Sequence, residues 1–538
     1  MNKLLLLGDE AIAQGGMDGG MSGIYAYPGT PSTEITEYVQ ASKFAKENNI
    51  HSQWSANEKT AMEAALGMSY AGKRSMVCMK HVGLNVAADP FVNSAITGTN
   101  GGMIVVVADD PSMHSSQNEQ DSRFYGDFAM IPIFEPSNQQ EAYEMAYHGF
   151  ELSEKLKSPV LLRITTRLAH SRSGVQTLEK ISQNTGSTPQ NLRQFVLLPA
   201  IARQNYNGLL SNQVNMETEA ENSNYNKYVD GEDKTLGIVA CGIAYNYLME
   251  NFQDRNLNHP LLKISQYPLP HKQMDKLLDE CDEVLVIEEG YPFVEDKLRG
   301  FQDKGTKIKG KLDGFLPRAG ELTPNSVAKA FGLDVKEGQA APDIIRNRPP
   351  AMCQGCGHID AYTALNKALE KYGEGRVFSD IGCYTLGALP PYEAINSCVD
   401  MGASITMAKG AADAGLVPAV SVIGDSTFTH SGITGLLDCV MEKTPVTIII
   451  SDNFTTAMTG GQDSHALGKL EDICAGIGVE KNHIRVFRPT KKNIDEMTEI
   501  IKEELEYDGV SVIIPRRQCV QTMKDKNLAE RLKQLGLK

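Results

Sequence analysis

The stretch 420–456, VSVIGDSTFTHSGITGLLDCVMEKTPVTIIISDNFTT, contains two apolar runs with a helix-like segment between them. The first run ends in a glycine that is followed by Asp425, and the second run, 446–450, ends shortly before Asn453. A crossover between two parallel strands brings their C-terminal ends to one edge of a sheet. The sequence therefore predicts a strand, helix, strand unit in which Asp425 and Asn453 face the same small volume.

An acid and an amide at such an edge suit Mg²⁺. This ion prefers oxygen ligands and usually shares them with the phosphates of a bound molecule, and a helix start beside the acid favours an anion. The backbone carbonyl of Thr455 is a candidate third ligand. Gly-Asp-Ser at 424–426, followed after 25 residues by Asp-Asn at 452–453, resembles the thiamine diphosphate signature, although Ser426 and Asp452 depart from its commonest letters. An ordinary strand, helix, strand unit with a polar loop is the alternative.

The amino-acid composition is typical of a soluble globular protein. The chain has 538 residues, a length that suggests about three or four domains, and 41% of its residues are hydrophobic and 22% charged. The net charge of −15 disfavours a nucleic acid or an anionic membrane as a partner. No apolar run approaches the ~20 residues of a membrane span. The expected location is therefore cytoplasmic.

Ten cysteines are scattered along the chain, and only Cys353 and Cys356 form a Cys-x-x-Cys pair. A disulfide framework is not expected in a large cytosolic protein. The pair and the nearby His358 resemble half of a zinc site, for which the sequence offers no fourth partner. A cubane iron–sulfur cluster needs four thiolates, usually from a dense run of cysteines, and no such run occurs. We therefore expect no iron–sulfur cluster in this chain.

The N-terminal region begins with a predicted buried strand, Leu4–Leu7, and continues through a glycine-rich stretch to YPGTPSTE at 27–34. Proline, glycine and proline in this segment predict a rigid turn that holds the hydroxyl of Thr30 at the tip of a strand. Capping of the following helix by Ser32 or Thr33 would explain the same residues. Both interpretations of the turn stay open at this point.

Asn57 predicts the N-cap of an alanine-rich helix that has Glu58 in its first turn. A first-turn glutamate is often only a solvated partner of the helix dipole. Thiamine diphosphate enzymes, however, carry a glutamate at the start of a similar helix, where its carboxyl group hydrogen-bonds N1′ of the aminopyrimidine. On this resemblance Glu58 is the expected match, and Glu63, on another face of the helix, is the second choice.

Nine segments of the chain point to a narrower family. They are YPGTPSTE, NEK, MKHVGLNVAADP, ADDPSMHSSQNEQDSR, CQGCGH, DIGCYTLG, MGAS, GDSTFTHSG and DNFTTAMTGGQ. Together they resemble the large (alpha) subunit of indolepyruvate:ferredoxin oxidoreductase, from near Leu4 to about Ile514. Members of that family usually continue into a cysteine-rich ferredoxin-like module, and nothing of that kind follows Cys519.

The resemblance implies a set of site residues at the matching positions. Thr30, Lys80 and His81 would face a 2-oxo acid, whose departing carboxylate and keto oxygen need donors or a cation. Glu58 would complete the catalytic group, and the loop 115–123 would lie at the same edge. The expected metal ligands are Asp425, Asn453 and Thr455, and the expected cofactor-binding residues are Gly29, Gly355, Cys356, His358, Gly382, Cys383, Gly402, Ser404, Gly424, Ser426, Thr427 and Met458.

The predicted fold class is α/β, and the resemblance makes it a multi-domain thiamin-diphosphate-binding fold. Two doubly wound parallel-sheet domains, of the pyrimidine and diphosphate types, would enclose a transketolase-C-like α/β domain. In that middle domain Glu288 and Glu289 are an interface pair or the end of a strand, and we favour the strand end. The expected divisions are a pyrimidine-binding domain at 1–180, a linker at 181–234, the transketolase-C-like domain at 235–335, a linker at 336–350 and the diphosphate and Mg²⁺ domain at 351–538.

The implied function is oxidative decarboxylation of an aryl 2-oxo acid, of the indolepyruvate or phenylpyruvate type, to acyl-CoA and CO₂. Thiamine diphosphate and Mg²⁺ are the expected cofactors, with electrons passed to ferredoxin or another acceptor through a partner. A homodimer is expected, because the cofactor of such enzymes lies between a pyrimidine and a diphosphate domain, together with a small second subunit and an iron–sulfur protein. The alternatives are a non-redox decarboxylase or carboligase that uses the same cofactor, and a noncatalytic scaffold.

Overall fold

The computed structural model describes residues 3–537 except positions 28, 56, 115, 117, 251, 253–256, 301–337, 339–341, 347–350, 400, 458–461 and 465. The predicted cofactor residue Met458 lies outside the described residues. The chain divides into a large compact unit, Met1–Tyr291 with Met352–Lys538, and a small one, Pro292–Ala351. In the small unit the structure describes the helix Phe293–Arg299.

Seven strands form the N-terminal sheet, and its central strands are almost entirely apolar. Every residue of Met103–Asp109 and of Val160–Thr165 is buried, as is typical of parallel strands that are covered on both faces. All neighbours run parallel except one antiparallel pair at the edge. In spatial order the strands are Gln266–Tyr267, Ile133–Phe134, Val160–Thr165, Met103–Asp109, Ser75–Lys80, Gly23–Ala26 and His51–Trp54.

The predicted strand at the N-terminus exists, but it is not buried. Lys3–Leu7 pairs only with Arg172–Gln176, in a separate two-stranded antiparallel ribbon. Leu5 is consequently 67% exposed, because a ribbon outside the main sheet has no second layer on that side. The helices of the N-terminal region are Gly8–Asp18, Thr33–Ala41, Lys43–Glu47, Glu58–Tyr70, His81–Val86, Ala88–Thr97, Arg123–Ala129, Gln139–Leu156 and Thr166–His170.

A four-stranded sheet follows a connection that contains the helix Pro199–Glu221. In spatial order its strands are Glu283–Ile287, Leu236–Cys241, Leu261–Ile264 and Lys227–Val229, of which the last is antiparallel to its neighbour. The helices of this region are Ala244–Glu250 and His271–Glu280. The short strand Gln266–Tyr267 leaves it to pair with the edge of the N-terminal sheet, so backbone hydrogen bonds join the two regions.

Six parallel strands form the C-terminal sheet, and they confirm the unit predicted at 420–456. Ala419–Gly424 and Val446–Ser451 are adjacent, parallel and buried, with their C-terminal residues opposite each other. The segment 425–442 between them is helical. In spatial order the strands are Ser397–Cys398, Val377–Ser379, Ala419–Gly424, Val446–Ser451, Val510–Pro515 and Ile484–Phe487. The other helices of this region are Gly357–Leu369, Ala403–Asp413, Leu470–Ile477, Ile494–Leu505 and Lys526–Gln534.

The two parallel-sheet domains meet within one chain, through the helices Glu58–Tyr70 and Ala403–Asp413. Glycine at the crossing lets their backbones touch, because a Cβ atom at Gly410 would overlap the carbonyl oxygen of Ala64. Gly67 makes the corresponding contact from the other helix. The two parallel-sheet domains of a single chain are therefore in direct contact.

Across the described part of the chain, the helices include none with the length and apolar character needed to span a bilayer.

Candidate active site

Asp425 lies at the C-terminal edge of the C-terminal sheet, directly after Ala419–Gly424. Its side chain is buried, and within the described structure its Oδ2 atom has no hydrogen-bond partner. Burial, together with the nearby carboxylate of Asp452, raises the pKa of Asp425 to about 7. A cation stabilises a buried carboxylate oxygen that lacks a partner, so this position fits a divalent metal ion.

Asn453 and Thr455 follow the neighbouring parallel strand, whose last residue pairs with the residue before Asp425. The Oδ1 atom of Asn453 accepts a hydrogen bond from the backbone nitrogen of Thr455 at 3.0 Å, which leaves one of its two lone pairs for another partner. Arg516 pairs with Asp452 at 2.6 Å. The structure thus places the three predicted metal ligands at the same end of two neighbouring strands.

The ring of Tyr384, which the sequence argument missed, packs against Gly382 and Gly424. A Cβ atom at Gly424 would stand 2.6 Å from this ring, and one at Gly382 would overlap it. The Tyr384 hydroxyl donates to Asp380, whose other oxygen accepts a hydrogen bond from Ser404 Oγ at 2.6 Å. The two glycines and Ser404 are therefore required by a buried tyrosine–aspartate pair. The available signal was an acid at the end of the strand before Gly382.

Other predicted cofactor residues also have local roles. Thr427 Oγ1 donates to the carbonyl oxygen of Ile381 at 3.2 Å, which ties its short helix to the loop that contains Gly382. Ser426, beside it, is partly exposed. Gly355 has a φ of +79°, a conformation that favours glycine, and a Cβ atom there would meet nothing within 4 Å in the described structure. Its backbone conformation is therefore enough to explain this glycine.

The carbonyl oxygen of Met401 joins the C-terminal domain to the helix that carries Glu58. It accepts hydrogen bonds from Lys59 Nζ at 3.1 Å and from Ser431 Oγ at 2.5 Å. Gly402 has a φ of +95°, and a Cβ atom there would overlap Ser431 Oγ. The N-termini of two helices, one from each parallel-sheet domain, therefore meet at this junction around Met401.

Glu58 and Glu63 have different surroundings. Glu63 is buried and pairs with Lys59 and with the hydroxyl of Thr406, so it helps to hold the two domains together. Glu58 instead packs against the backbone of Gly83, where a Cβ atom would stand 2.7 Å from Glu58 Oε1. The Glu63 carboxylate is already paired in the contact between the two domains. Glu58 is therefore the better candidate to bind the aminopyrimidine ring of a cofactor.

The residues predicted to face the substrate follow two adjacent N-terminal strands. The side chain of Lys80 passes Gly29, where a Cβ atom would stand 3.2 Å from Lys80 Cδ. His81 is buried, and its Nε2 atom lies 3.0 Å from the carbonyl oxygen of Asn118 and therefore donates to it. Its Nδ1 atom has no hydrogen-bond partner in the described residues, and in the neutral imidazole it is an acceptor. Thr30 is exposed in the turn after Gly29.

Four cysteines from separated parts of the sequence interact electrostatically in the C-terminal domain. Burial raises the pKa of Cys383 to about 11, and the thiols of Cys519, Cys356 and Cys353 add to the rise, so all three lie within electrostatic range of it. The backbone nitrogen of Cys519 donates to the carbonyl oxygen of Asn453 at 3.2 Å. Four neighbouring thiols are the usual ligand set of a cubane iron–sulfur cluster.

The expectation of no iron–sulfur cluster in this chain considered the spacing of cysteines in the sequence only. It required a dense run of cysteines, whereas the fold brings together thiols that are spread from Cys353 to Cys519. The neighbouring His358 is buried, which lowers its pKa to about 4 and keeps the imidazole neutral at pH 7. Its Nδ1 atom lies 3.3 Å from Cys356 Sγ, so the histidine supports the thiol cluster.

Two buried arginines that the sequence argument missed join the N-terminal sheet to the middle domain. Arg123 pairs with Glu288 at 2.8 Å, and Arg163 donates to the carbonyl oxygen of Glu289 at 2.8 Å. Arg123 also pairs with Asp121, from the loop predicted at the substrate edge. Glu288 therefore contributes to this interface by its ion pair with Arg123, because a buried arginine needs an acidic partner, and Glu289 contributes by its backbone carbonyl oxygen. Both residues also directly follow the strand Glu283–Ile287, so they are the strand end that we favoured as well.

Comparisons with known proteins cover most of the chain. Residues 14–223 match the family described as pyruvate flavodoxin/ferredoxin oxidoreductase, thiamine diP-bdg, and residues 380–514 match the thiamine pyrophosphate enzyme, C-terminal TPP binding domain. Indolepyruvate oxidoreductase subunit IorA of Archaeoglobus fulgidus is 40% identical over 96% of this chain and 86% of its own length. The subunit of the same name from Methanothermobacter thermautotrophicus is 39% identical over 96% and 87%.

A solved structure supports the fold alone. The thiamine diphosphate-dependent 4-hydroxybenzoylformate decarboxylase of Rhodococcus jostii RHA1 superposes with a TM-score of 0.50 at 14% identity. The superposition covers 96% of this chain and 99% of that one, so the likeness extends over the seven-, four- and six-stranded sheets.

Proposed function

Because the chain belongs to the family of indolepyruvate oxidoreductase subunit IorA, we propose that it catalyses the oxidative decarboxylation of an aryl 2-oxo acid to acyl-CoA and CO₂. The observation that carries the proposal is the buried Oδ2 atom of Asp425, which has no partner in the described structure. An uncompensated buried carboxylate is costly unless a cation binds it. The donor set at that edge fits Mg²⁺ and a diphosphate.

Thiamine diphosphate, when bound, supplies the electron sink that loss of CO₂ from a 2-oxo acid requires. Asp425, Asn453 and the carbonyl group of Thr455 would hold Mg²⁺ and, through it, the diphosphate. The cation would keep Asp425 ionised at neutral pH, because an adjacent positive charge lowers the pKa of a carboxyl group. The residues at 355–358, 382–383, 402–404 and 424–427 would line this part of the site.

Glu58 would hold a proton between its carboxyl group and N1′ of the aminopyrimidine ring. Its place in the first turn of a helix whose next residue, Lys59, reaches Met401 in the diphosphate-type domain supports this role. The ring and the phosphates would then bind to the two domains of one chain. Glu63 would act indirectly, by holding the Glu58 helix against that domain.

Lys80, Thr30 and His81 would bind the 2-oxo acid. The ammonium group of Lys80 and the hydroxyl of Thr30 would orient the carboxylate and the keto oxygen. The donation from His81 Nε2 to Asn118 fixes the tautomer, so His81 Nδ1 would accept a hydrogen bond or a proton. Indolepyruvate or phenylpyruvate is the substrate class that the names of the relatives suggest.

The thiols of Cys353, Cys356, Cys383 and Cys519 would hold a cubane cluster, a one-electron carrier, beside the metal edge. A ligand set of this kind favours the redox function over a non-redox decarboxylase or carboligase. It also argues against a noncatalytic scaffold. An iron–sulfur partner protein with ferredoxin as acceptor, a small second subunit and a second copy of this chain complete the proposed assembly. We also propose a cytoplasmic location, because the reducing cytoplasm keeps cysteines as free thiols and all ten cysteines of this chain are free.

The test uses the complex purified anaerobically with its partner subunits. Phenylpyruvate, thiamine diphosphate and Mg²⁺ are supplied, and CoA and methyl viologen are added singly or together. We expect CO₂ release to require both CoA and the dye. Aldehyde or acyloin formed without either addition would refute the oxidative function and support the decarboxylase or carboligase. Absence of turnover with thiamine diphosphate bound would support the scaffold.

A further inference from the structure

A second group of metal-binding side chains lies in the N-terminal domain, among residues that the proposed reaction does not use. One ligand atom from each of Asp9, Glu34 and His170 lies within 4.8 Å of the other two. Asp9 is in the first turn of Gly8–Asp18, and Glu34 is in the first turn of Thr33–Ala41. His170 ends the short helix Thr166–His170, which follows the strand Val160–Thr165. Three separate helices therefore converge on one point.

The burial of Asp9 requires an explanation. Its side chain is 0% exposed, and neither carboxylate oxygen accepts a hydrogen bond from an amide, hydroxyl or cationic group of the described residues. Its polar neighbour is the carboxyl group of Glu34, which lies within hydrogen-bond range. The Oε2 atom of Glu34 is also buried without such a partner. His170 Nε2 lies 3.7 Å from Glu34 Oε1, which is too far for a hydrogen bond and leaves room for an ion between them. Two carboxylates side by side repel each other unless a cation or a proton lies between them.

The environment also explains how an ion would enter. His170 is exposed, and the Glu34 side chain is 36% exposed, so the site is closed on the Asp9 side and open to solvent on the other. Burial and the charges of Glu34 and Glu10 raise the pKa of Asp9 well above its ordinary value. Arg172 lies 3.3 Å from Glu10, so its charge is directed to that neighbour.

We propose that Asp9, Glu34 and His170 bind a divalent transition-metal ion. Two carboxylates and one imidazole form a donor set for ions such as Mn²⁺, Fe²⁺ or Zn²⁺, with open positions for water on the exposed side. This site shares no ligand with the predicted Mg²⁺ edge at Asp425. The inference therefore stands independently of the proposed function.

The role that follows is structural. The ion would fasten the start of Thr33–Ala41 to Gly8–Asp18, and so fix the turn before it. In that turn Ser32 Oγ donates to the carbonyl oxygen of Gly29 at 2.8 Å, and the Gly29 nitrogen donates to Thr33 Oγ1 at 3.0 Å. The turn carries Thr30. Metal binding would thus hold a proposed substrate residue in place without touching the substrate.

The probe is Mn²⁺, added to the metal-stripped full chain without thiamine diphosphate. Bound ion is counted by electron paramagnetic resonance, and the nitrogen of an imidazole ligand is detected by electron spin echo modulation. We expect one bound Mn²⁺ that shows nitrogen modulation. The oxygen ligands predicted at Asp425 would give a signal without it, so the two sites are distinguishable.

Three variants decide the assignment. His170→Gln abolishes the nitrogen modulation, whereas His148→Gln, an exposed histidine elsewhere in the domain, leaves it unchanged. Loss of an outer-shell partner typically weakens metal binding by roughly tenfold to hundredfold. Asp9→Asn removes a direct ligand, so we expect it to weaken Mn²⁺ binding by more than that. If Asp9→Asn does not fold, the exposed His170 still provides the test.

Two results would overturn the proposal. One is nitrogen-modulated Mn²⁺ that persists in His170→Gln. The other is a protein that binds no such Mn²⁺ and instead shows an infrared carbonyl band of a protonated carboxyl group that disappears in Asp9→Asn. The second result would assign the pair Asp9 and Glu34 to a shared proton.

Discussion

Replacement of Asp425 by asparagine tests the metal edge directly, through the stability of the protein. In the metal-free chain the pKa of Asp425 is about 7, against an ordinary value of 3.8, because of burial and the carboxylate of Asp452. The folded state therefore holds this proton more tightly than the unfolded state does. Below the unfolded pKa the group does not oppose folding, and stability is lost as the pH rises from 3.8 to about 7.

The size of the effect follows from the shift. Each pKa unit corresponds to ~1.4 kcal/mol, so a shift of about three units opposes folding by at most ~4 kcal/mol above neutral pH. About two of these units fall between pH 5 and pH 8, which is ~3 kcal/mol. Asparagine does not titrate. In EDTA and without cofactor, Asp425→Asn should therefore gain stability relative to the parent by about that amount over this interval.

Mg²⁺ and thiamine diphosphate should reverse the order of the two proteins. A ligand at one thousand times its dissociation constant stabilises the folded state by about 4.1 kcal/mol, which exceeds the ~3 kcal/mol above, and only the parent retains the ligand oxygen. Urea unfolding at pH 5 and pH 8, with EDTA or with Mg²⁺ and cofactor, provides the measurement. Asp472→Asn, an exposed acid in the same domain, is the control and should show neither effect. Equal destabilisation by Asp425→Asn at both pH values in EDTA would refute the reasoning.

Three further predictions concern the two domains and the thiols. Glu58→Gln should lower kcat by roughly 10²–10⁴-fold through loss of the shared proton, and unchanged turnover would exclude that role. Gly410→Ala should destabilise the protein by about 1–3 kcal/mol, because its Cβ meets the Ala64 carbonyl oxygen. The control is Gly476→Ala, at a helical glycine with open space around it, and it should be neutral or stabilising by roughly 0.5–1 kcal/mol. Equal shifts of the melting temperature in the two variants would contradict the packing argument. Cys383→Ser should reduce the iron content of anaerobically purified protein. The control is Cys439→Ser, which changes a buried cysteine outside the thiol cluster and should leave the iron content unchanged. Equal iron content in both variants would disprove the ligand role.

Some of the site depends on packing that residue spacing cannot reveal. Ser404, Gly382 and Gly424 were predicted as cofactor residues from the family resemblance, yet each is also required by the buried Tyr384–Asp380 pair. A glycine that makes room for a ring and a glycine that makes room for a phosphate look the same in a sequence. Only the neighbouring atoms in the fold distinguish them.

The sequence by itself determined the strand, helix, strand unit at 420–456 and the meeting of Asp425 and Asn453 at its edge. The physical reason is local: buried parallel strands are continuous apolar runs, and a crossover connection has one hand, so short stretches of sequence define the edge. The motif segments likewise identified the family, which the 40% identity to a relative confirms.

Only the tertiary structure decided which distant groups meet. It brought three other thiols, between Cys353 and Cys519, within electrostatic range of Cys383. It also placed Glu288 and the backbone of Glu289 against two buried arginines, and joined the helix that carries Glu58 to the other parallel-sheet domain. It also left one oxygen of Asp425 without a partner in the described structure. Contacts of this kind depend on how sheets and helices pack across long separations in sequence, and neither residue spacing nor local propensity encodes that packing.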